Sequence, residues 1–259
     1  MNRHRRAALT RDVSPSLADC ELSFLEREPI DFGRAVAQHR AYCDALASVG
    51  VDVVRLPADE AFPDCCFVED TAVVVDEVAV MASMGAASRR GELGAVERAL
   101  APNRPIARLT LPARLDGGDV LVVGRRVFVG RSARTDAAGA EALAAALRPY
   151  GYRVTPVAVT GCLHLKSAVT ALDAETLLVN RAWIDTSPFA EFDLVDVDAA
   201  EPSAANVLAV AGRIRAHGGF VRTTARLADR GYELLAVDVS EFLKAEAGVT
   251  CKSIVFAVP

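Results

Sequence analysis

Apolar residues of the 259-residue chain recur as double runs that short polar breaks divide. Four such pairs are TAVVVDEVAVMA, DVLVVGRRVFVG, SAVTALDAETLLVN and ANVLAVAGRI, which begin at residues 71, 119, 167 and 205. Their breaks contain the Asp, Glu and Gly residues typical of tight turns, so the pattern predicts β-hairpins. A fifth apolar run, SIVFAVP, follows Cys251. We expect this run to pair with the basic amino-terminal stretch and close a ring.

Helical patterns lie between the hairpins, in RRGELGAVERAL, TDAAGAEALAAAL and TARLADRGYELL, and a further short strand such as RVTPVAV follows some of them. This strand-strand-helix-strand order recurs about every forty to fifty residues, a period typical of repeat arrays and propellers. We interpret it as five ββαβ units around an axis, an α/β propeller. An ordinary open mixed α/β sheet remains the alternative, because the units share little sequence.

The composition and net charge of the chain indicate which kinds of molecule it can bind. The chain is 52% hydrophobic and 24% charged, which is ample for a buried core. A net charge of -5 provides no basic field for nucleic acid or an anionic membrane, so a small or cationic ligand is expected. The amino terminus lacks the apolar core of a signal peptide, and no run of eighteen apolar residues occurs, which predicts a cytoplasmic protein.

The cysteines and histidines do not form a metal motif. The six cysteines lack the C-x₂₋₄-C pairs with matched partners that zinc sites show, and the four histidines (His4, His39, His164, His217) do not supply them. A reducing cytosol would keep all six cysteines as thiols. We therefore expect no metal and no disulfide.

Polar residues precede the hairpins at equivalent positions. Glu69 and Asp70 come before the first hairpin, Asp116 before the second, His164 before the third and Cys251 before the fifth apolar run. Equivalent ends of radially arranged strands meet at one end of the axis. The repeat therefore predicts that three carboxylates, an imidazole and a thiol surround one cavity.

These residue types suit covalent catalysis. Cys251 becomes a nucleophile if its proton is removed, His164 is a candidate acid and base, and Asp116 is a candidate for orienting the imidazole. The two glycines after Asp116 allow a tight turn and a close approach. Taken singly, Cys251 is more typical of core packing and His164 of a hydrogen-bonded buried histidine, while Asp116 is as consistent with a turn as with a site.

Glu69 and Asp70 lie in an apolar context, so at least one of them is expected to point inward, where an unpaired carboxylate is costly. No Lys or Arg lies at an obvious strand spacing from them. We therefore expect a cationic ligand, such as a guanidinium, to be their partner. By themselves, Arg89 and Arg134 would be a solvated helix start and a surface residue before a capping Thr135.

The chain resembles the dimethylarginine dimethylaminohydrolases, of the guanidine-modifying superfamily that includes the arginine deiminases and amidinotransferases. The resemblance covers nearly the whole chain through SPSLADCEL, RLPADEAFPDCCFVEDTAVV, GAASRRGEL, LDGGDVL, FVGRSARTDAAGAE, GCLHLKS and GVTCKSIVF. It implies a five-bladed α/β propeller of pseudo-fivefold symmetry, the pentein fold, with residues 1–259 as a single catalytic domain.

The resemblance also implies roles, residue by residue. They are a nucleophile (Cys251), a general acid and base (His164), its orienting carboxylate (Asp116), the guanidinium partners (Asp70, with Glu69 beside it), the α-amino partner (Asp64), the α-carboxylate partners (Arg89, Arg134), a gate residue on a mobile amino-terminal loop (Leu22) and a backbone carbonyl (Ala245). Some relatives have Glu in place of Asp116. Ala245 is smaller than the expected aliphatic residue, and Cys162 is assigned no role.

The implied reaction is hydrolysis of asymmetric dimethylarginine or monomethylarginine to citrulline and an alkylamine, through an S-alkylthiouronium on Cys251 and without a cofactor. Three alternatives stay open: an arginine deiminase or other guanidine or ureido hydrolase, a non-catalytic arginine-binding protein, and a structural interaction module. Arginine deiminases are usually longer chains, and the presence of Cys251 and His164 favours catalysis. The oligomeric state is not predicted.

Overall fold

The computed structural model describes residues 5–258, so His4 and the outermost residues of the predicted 1–259 domain lie outside the described residues. The strands form five separate three-stranded sheets. They are β1 (Arg6–Arg11), β2 (Val51–Leu56), β3 (Ala72–Val74), β4 (Ala79–Met81), β5 (Ile106–Arg108), β6 (Val120–Val123), β7 (Arg126–Arg131), β8 (Arg153–Ala158), β9 (Val169–Ala171), β10 (Thr176–Val179), β11 (Asp193–Asp196), β12 (Leu208–Val210), β13 (Arg213–His217), β14 (Leu234–Val237) and β15 (Ile254–Ala257).

Four of these sheets share one construction. An antiparallel hairpin is followed by a third strand that runs parallel to the second strand of the hairpin. In the remaining sheet, of order β15-β1-β2, Ile254 pairs with Leu9. The predicted pairing of the two ends of the chain is therefore confirmed. Five separate sheets contradict the open mixed sheet and give the predicted five-unit α/β propeller.

The helices are α1 (Phe32–Ala47), α2 (Leu93–Leu100), α3 (Ala137–Leu147), α4 (Leu165–Ala168), α5 (Val221–Asp229) and α6 (Ser240–Leu243). The helices predicted between hairpins are confirmed as α2, α3 and α5. The pattern around Leu227 is helical only to Asp229, because Gly231 turns the chain with φ 86° and the following residues enter β14.

The sequence patterns singled out above omit α1, although its own pattern is clear. Ala35, Tyr42 and Leu46 are buried on one face, and the Asp31 carboxylate accepts a hydrogen bond from the Arg34 amide as N-cap. Within residues 5–258, no helix has both the length and the hydropathy needed to cross a membrane.

The expected Thr135 cap of α3 is wrong. Asp136 is the N-cap, and its carboxylate accepts a hydrogen bond of 2.8 Å from the Gly139 amide. The Thr135 hydroxyl instead accepts a hydrogen bond from the Asp116 amide, 3.1 Å away. The residue that supports the site and the residue that caps the helix are therefore direct neighbours in the sequence.

The core consists of apolar clusters that each join one sheet to the next. A short helical turn precedes one strand of each sheet, here called the inner strand, and these turns bring their polar residues together. The inner strands are β3, β6, β9, β12 and β15. These turns are Val68–Thr71, Gly117–Asp119, Leu165–Ala168, Pro202–Ala205 and Thr250–Lys252. Because each turn occupies the same place in its unit, the residues on it face a common centre.

Candidate active site

One cavity at this centre contains most of the predicted site residues. Its lining residues are Glu21, Asp64, Phe67, Asp70, Arg89, Arg134, Leu163, His164, Ala245, Glu246, Ala247 and Cys251. Asp116 lies behind His164, and Leu22 adjoins Glu21 on the loop at the mouth. Glu69 does not line this cavity. It lines a second cavity along the inner strands, together with Lys166 and Thr250.

Cys251 lies on the turn Thr250–Lys252 and is only 8% exposed. The Gly248 amide donates a hydrogen bond to its sulfur, 3.3 Å away. Burial, followed by the negative charges of Glu69 and Asp70, raises the pKa of the thiol to about 12. Without a cation beside it, Cys251 is therefore a neutral thiol at pH 7.

His164 is held between two carboxylates. Its Nε2 lies 3.2 Å from Asp116 Oδ2, and its Nδ1 lies 3.7 Å from Asp70 Oδ1. Burial alone would lower the pKa of the imidazole, but Asp70, the hydrogen bond to Asp116 and the nearby Asp119 raise it to about 9. His164 is therefore a charged proton donor at neutral pH.

Asp116 is fully buried and is fixed on both sides. Its Oδ1 accepts a hydrogen bond of 2.7 Å from the Gly85 amide, and its Oδ2 faces His164. Arg134 Nη1 lies 3.7 Å from that Oδ2 and has no hydrogen-bond partner among the described residues, although it is buried. A buried donor is thus available at the wall of the cavity.

The glycines after Asp116 have the predicted role of allowing close approach. A Cβ on Gly118 would lie 2.5 Å from Asp70 Oδ1 and 2.6 Å from His164 Nδ1. The Gly118 amide also donates a hydrogen bond of 3.0 Å to Asp70 Oδ1. Only a residue without a side chain lets the carboxylate and the imidazole approach this closely.

The prediction that Glu69 and Asp70 lack a protein cation is wrong. Lys166 Nζ lies 2.6 Å from Glu69 Oε1, and Arg89 Nη1 lies 2.6 Å from Asp70 Oδ2. Both cations come from other turns and so have no fixed spacing along the sequence. A cationic ligand is not needed to balance these carboxylates.

The pKa values of the two carboxylates nevertheless shift in opposite directions. Burial raises the pKa of Glu69 although Lys166 and Thr250 oppose it. Burial also acts to raise the pKa of Asp70, but His164 and Arg89 outweigh it and lower that pKa. Asp70 is therefore the firmly ionised carboxylate beside the cavity.

Arg89 is more engaged than the sequence suggested. It is 3% exposed, and Glu92 accepts hydrogen bonds from its Nε at 3.0 Å and its Nη2 at 2.9 Å. Together with Asp70, Glu92 makes Arg89 part of a buried ion cluster rather than a solvated helix start. The RRGE stretch, with Arg and Glu three residues apart, was a signal for this pair.

Other supporting residues were missed by sequence reasoning. Asp119 Oδ1 accepts a hydrogen bond of 2.9 Å from the Leu165 amide and thereby holds the residue after His164. Asn206, on the turn before β12, accepts from the Thr250 amide at 2.9 Å, while the Thr250 hydroxyl donates to Glu69 at 2.6 Å. The second Asp of DGGD could have indicated Asp119 in the sequence. The start of the fourth hairpin, to which no site residue had been assigned, could have indicated Asn206.

Two further predicted site residues, Asp64 and Leu22, lie near the mouth of the cavity. Asp64 Oδ2 accepts a hydrogen bond of 3.1 Å from the Glu21 amide, and burial raises the pKa of Asp64. Leu22 is half-buried against the apolar cluster that contains Ala245 and Cys251. Cys162 is not a wall of this cavity, and its thiol donates a hydrogen bond to the His164 carbonyl 3.2 Å away.

Comparisons of sequence agree with this arrangement. A family model described as N,N dimethylarginine dimethylhydrolase, eukaryotic, matches residues 23–180. The N(G),N(G)-dimethylarginine dimethylaminohydrolase of Streptomyces coelicolor is 42% identical over 253 residues, which cover 96% of each chain. That of Pseudomonas aeruginosa is 35% identical over 250 residues, which cover 96% of this chain and 98% of the relative.

Solved structures give the same result. The P. aeruginosa enzyme, as a cysteine-to-serine mutant complexed with citrulline, matches with a TM-score of 0.93 and 33% identity over 98% of this chain and 99% of that one. The N-terminal domain of the cyanobacterial arginine dihydrolase ArgZ matches with a TM-score of 0.84 at 17% identity over 98% and 99% of the two chains, which shows the fold alone. The full-length relatives, the family model and the five-unit fold together show that this chain belongs to the dimethylarginine dimethylaminohydrolase family.

Proposed function

We propose that the protein hydrolyses asymmetric dimethylarginine and monomethylarginine to citrulline and an alkylamine. The observation that carries the proposal is the meeting of the Cys251 thiol, the His164–Asp116 pair and the ionised Asp70 in one buried cavity. The relatives named above are dimethylarginine dimethylaminohydrolases, which supports the choice of substrate.

Binding of the substrate activates the nucleophile. A guanidinium held by Asp70 offsets the negative charges that, with burial, raise the pKa of the Cys251 thiol. The pKa of the thiol falls, its proton leaves to water, and the thiolate attacks the central carbon of the guanidinium. Because the substrate is a cation, the tetrahedral intermediate carries no full oxyanion, and carboxylates suit the site.

His164 then acts first as acid and afterwards as base. As an imidazolium it donates its proton to the alkylamine nitrogen while the carbon–nitrogen bond breaks, which leaves an S-alkylthiouronium on Cys251. Neutral His164 next removes a proton from water as the water oxygen attacks the same carbon. The carbon–sulfur bond then breaks, the remaining hydroxyl proton on the central carbon leaves to water, and citrulline and the thiolate are formed. Each step uses the substrate, water and side chains of this chain, with no metal or organic cofactor.

The remaining predicted residues position the amino-acid end of the substrate. The free donor of Arg134 supports its proposed contact with the α-carboxylate. The guanidinium of Arg89 already binds Asp70 and Glu92. We therefore propose that Arg89 chiefly orients Asp70, and that its guanidinium also contacts the α-carboxylate of the substrate. Asp64 and the Ala245 carbonyl complete the proposed contacts, near Leu22 on the loop at the mouth of the cavity. All six cysteines are free, which supports a cytoplasmic location.

The test is citrulline release by the purified protein with arginine, monomethylarginine and asymmetric dimethylarginine side by side, with Cys251→Ala as the blank. We expect turnover of both methylated substrates and little from arginine. Turnover chiefly of arginine would contradict the proposal and indicate a deiminase. Saturable binding without citrulline from any of the three would indicate an arginine-binding protein.

A further inference from the structure

Glu246 has an unusual backbone conformation at the wall of the cavity. Its φ is 56°, in the left-handed region that residues other than glycine rarely adopt. Such a conformation persists only where surrounding contacts enforce it, and it is enriched at binding and catalytic sites. Glu246 lies directly after Ala245 and lines the same cavity as Cys251.

The side chain of Glu246 shows which contacts enforce this conformation. Its Oε1 accepts hydrogen bonds from three consecutive amides, those of Ser23 at 2.9 Å, Phe24 at 2.5 Å and Leu25 at 2.6 Å. Successive amides that point to one place form a concave anion site. Glu246 therefore holds the tip of the loop Glu21–Pro29, here called the mouth loop.

The mouth loop lies over the cavity. Its first residue, Glu21, lines the cavity and donates its amide to Asp64. Near its far end, Arg27 Nη2 donates to the Cys20 carbonyl at 2.7 Å, and the Pro29 carbonyl accepts from Lys244 Nζ at 3.0 Å. The ends of the loop are thus tied down separately, and Glu246 supplies the hydrogen bonds of residues 23–25.

The second oxygen of Glu246 is unused. Oε2 is buried and has no hydrogen-bond partner among the described residues. A buried carboxylate oxygen without a donor is costly, and a cationic donor satisfies it best. Since Oε1 is committed to the loop amides, Oε2 is the oxygen that remains for a ligand.

The position of Glu246 indicates which part of a ligand would reach it. Asp64 and Glu246 both raise the pKa of the Cys20 thiol, after burial, so both carboxylates lie near the root of the mouth loop. The reacting guanidinium lies deeper, at Cys251, Asp70 and His164. The donor at the mouth is therefore the α-ammonium at the other end of an arginine-like substrate.

We propose that Glu246 is a further substrate-binding residue, whose Oε2 accepts a hydrogen bond from the α-ammonium while its Oε1 holds the mouth loop closed. The proposal rests on the proposed function, since it takes a methylated arginine as the ligand. Substrate binding then strengthens loop closure, because one carboxylate serves both the ligand and the loop.

The experiment compares Glu246→Ala and Glu246→Gln with wild type and with Glu26→Gln, a charge-matched control on an exposed residue of the same loop. With dimethylarginine, we expect KM to rise at least about tenfold in Glu246→Ala, the scale of a lost charged hydrogen bond, with kcat changed less. The KM of Glu246→Gln should lie between those of wild type and Glu246→Ala, and the KM of Glu26→Gln should equal that of wild type. Circular dichroism confirms that each variant is folded.

A substrate analogue isolates the ammonium contact. In wild type, removing the α-amino group from dimethylarginine should raise KM. In Glu246→Ala the same removal should raise KM by a factor at least about fivefold smaller, because the effects of two groups that contact each other are not additive. The proposal would be overturned if removing the α-amino group raised KM by the same factor in Glu246→Ala as in wild type. It would also be overturned if KM were unchanged in Glu246→Ala.

Two measurements need no turnover and so separate this proposal from the proposed function. Trp183 is the only tryptophan of the chain, and it lines a pocket with Phe24 and Leu25 at the tip of the mouth loop. In Cys251→Ala, titration with dimethylarginine should change Trp183 fluorescence, and adding Glu246→Ala should weaken that binding. Unweakened binding would overturn the proposal even if no citrulline were ever formed.

Discussion

At the scale of single residues, burial and neighbouring carboxylates act differently on the two proton-bearing groups of the cavity. For the Cys251 thiol both effects oppose ionisation and raise its pKa to about 12. For His164 burial opposes the charged form, but Asp70 and Asp116 favour it more strongly and raise its pKa to about 9. Without a ligand, both Cys251 and His164 therefore keep their protons at neutral pH. We expect a bound cation to favour loss of the proton on sulfur.

This arrangement predicts a preference for cationic alkylating agents. At pH 7, a haloacetamidine should modify Cys251 at least about tenfold faster than the neutral iodoacetamide, because its charge lowers the pKa of the thiol as a guanidinium would. Mass spectrometry of the modified peptide measures both rates, with Cys251→Ala as the blank.

Replacing Asp70 with Asn serves as the control for this prediction. Losing its negative charge lowers the pKa of Cys251, so iodoacetamide should react faster than with wild type, while the preference for the cation should shrink. A slower reaction of iodoacetamide with Asp70→Asn would contradict this account of the thiol.

At the scale of elements, the short turns before the inner strands do more than connect secondary structure. The turn Gly117–Asp119 places Asp116 at its start, packs Gly118 against Asp70 and His164, and fixes the next unit through Asp119. Burial raises the pKa of Asp119 to about 6. This turn therefore supports His164, the candidate catalytic residue beside the neighbouring turn.

Gly118→Ala should disable catalysis more than folding. The added Cβ would meet both Asp70 and His164 below 3 Å, and displacing reacting groups by about 1 Å costs on the order of 10²-fold in rate. We expect kcat to fall by about that factor in citrulline assays. Gly94→Ala is the matched control, because that Cβ meets only Arg98 Nη1 at 3.5 Å, and its activity should equal wild type. Full activity of Gly118→Ala would contradict the proposed geometry.

At the scale of the whole molecule, the five clusters at the junctions of the sheets and the β1–β15 pairing stabilise the ring. Within this interior Lys252 is fully buried, and its Nζ has no hydrogen-bond partner in the described part of the chain. The ammonium lies 4.2 Å from the centre of the Tyr42 ring and 4.5 Å from that of Phe242. Burial lowers its pKa to about 7.

Lys252→Met should therefore stabilise the fold at neutral pH. The folded pKa lies below that of the unfolded chain, about 10.4, so the unfolded state binds more protons between these values and wild-type stability falls as pH drops from about 10 to 7. Met retains the length and the apolar contacts without this loss. Urea denaturation should show the variant more stable at pH 7, with the difference shrinking towards pH 10. A less stable variant at pH 7 would show that contact of the ammonium with the rings outweighs its desolvation.

Local sequence patterns predicted most of the strands and helices and pointed to the candidate reacting residues. Alternating apolar runs and helical periods are local, so the hairpins, α2 and α3 were predictable. The pairing of the chain ends was predictable because the repeat had to close into a ring. The repeat also placed Asp116, His164 and Cys251 at equivalent positions, and the long motifs identified the family.

The partners of the buried charged groups became visible only in the folded chain. Lys166 pairs with Glu69, Arg89 with Asp70, and Glu246 with the mouth loop, across sequence separations that no periodicity encodes. The pKa values of Cys251 and His164 follow from these partners and from burial, which depend on how five units pack around one axis. Local patterns specify which face of an element is buried, whereas the neighbour that meets each buried charge is specified by packing.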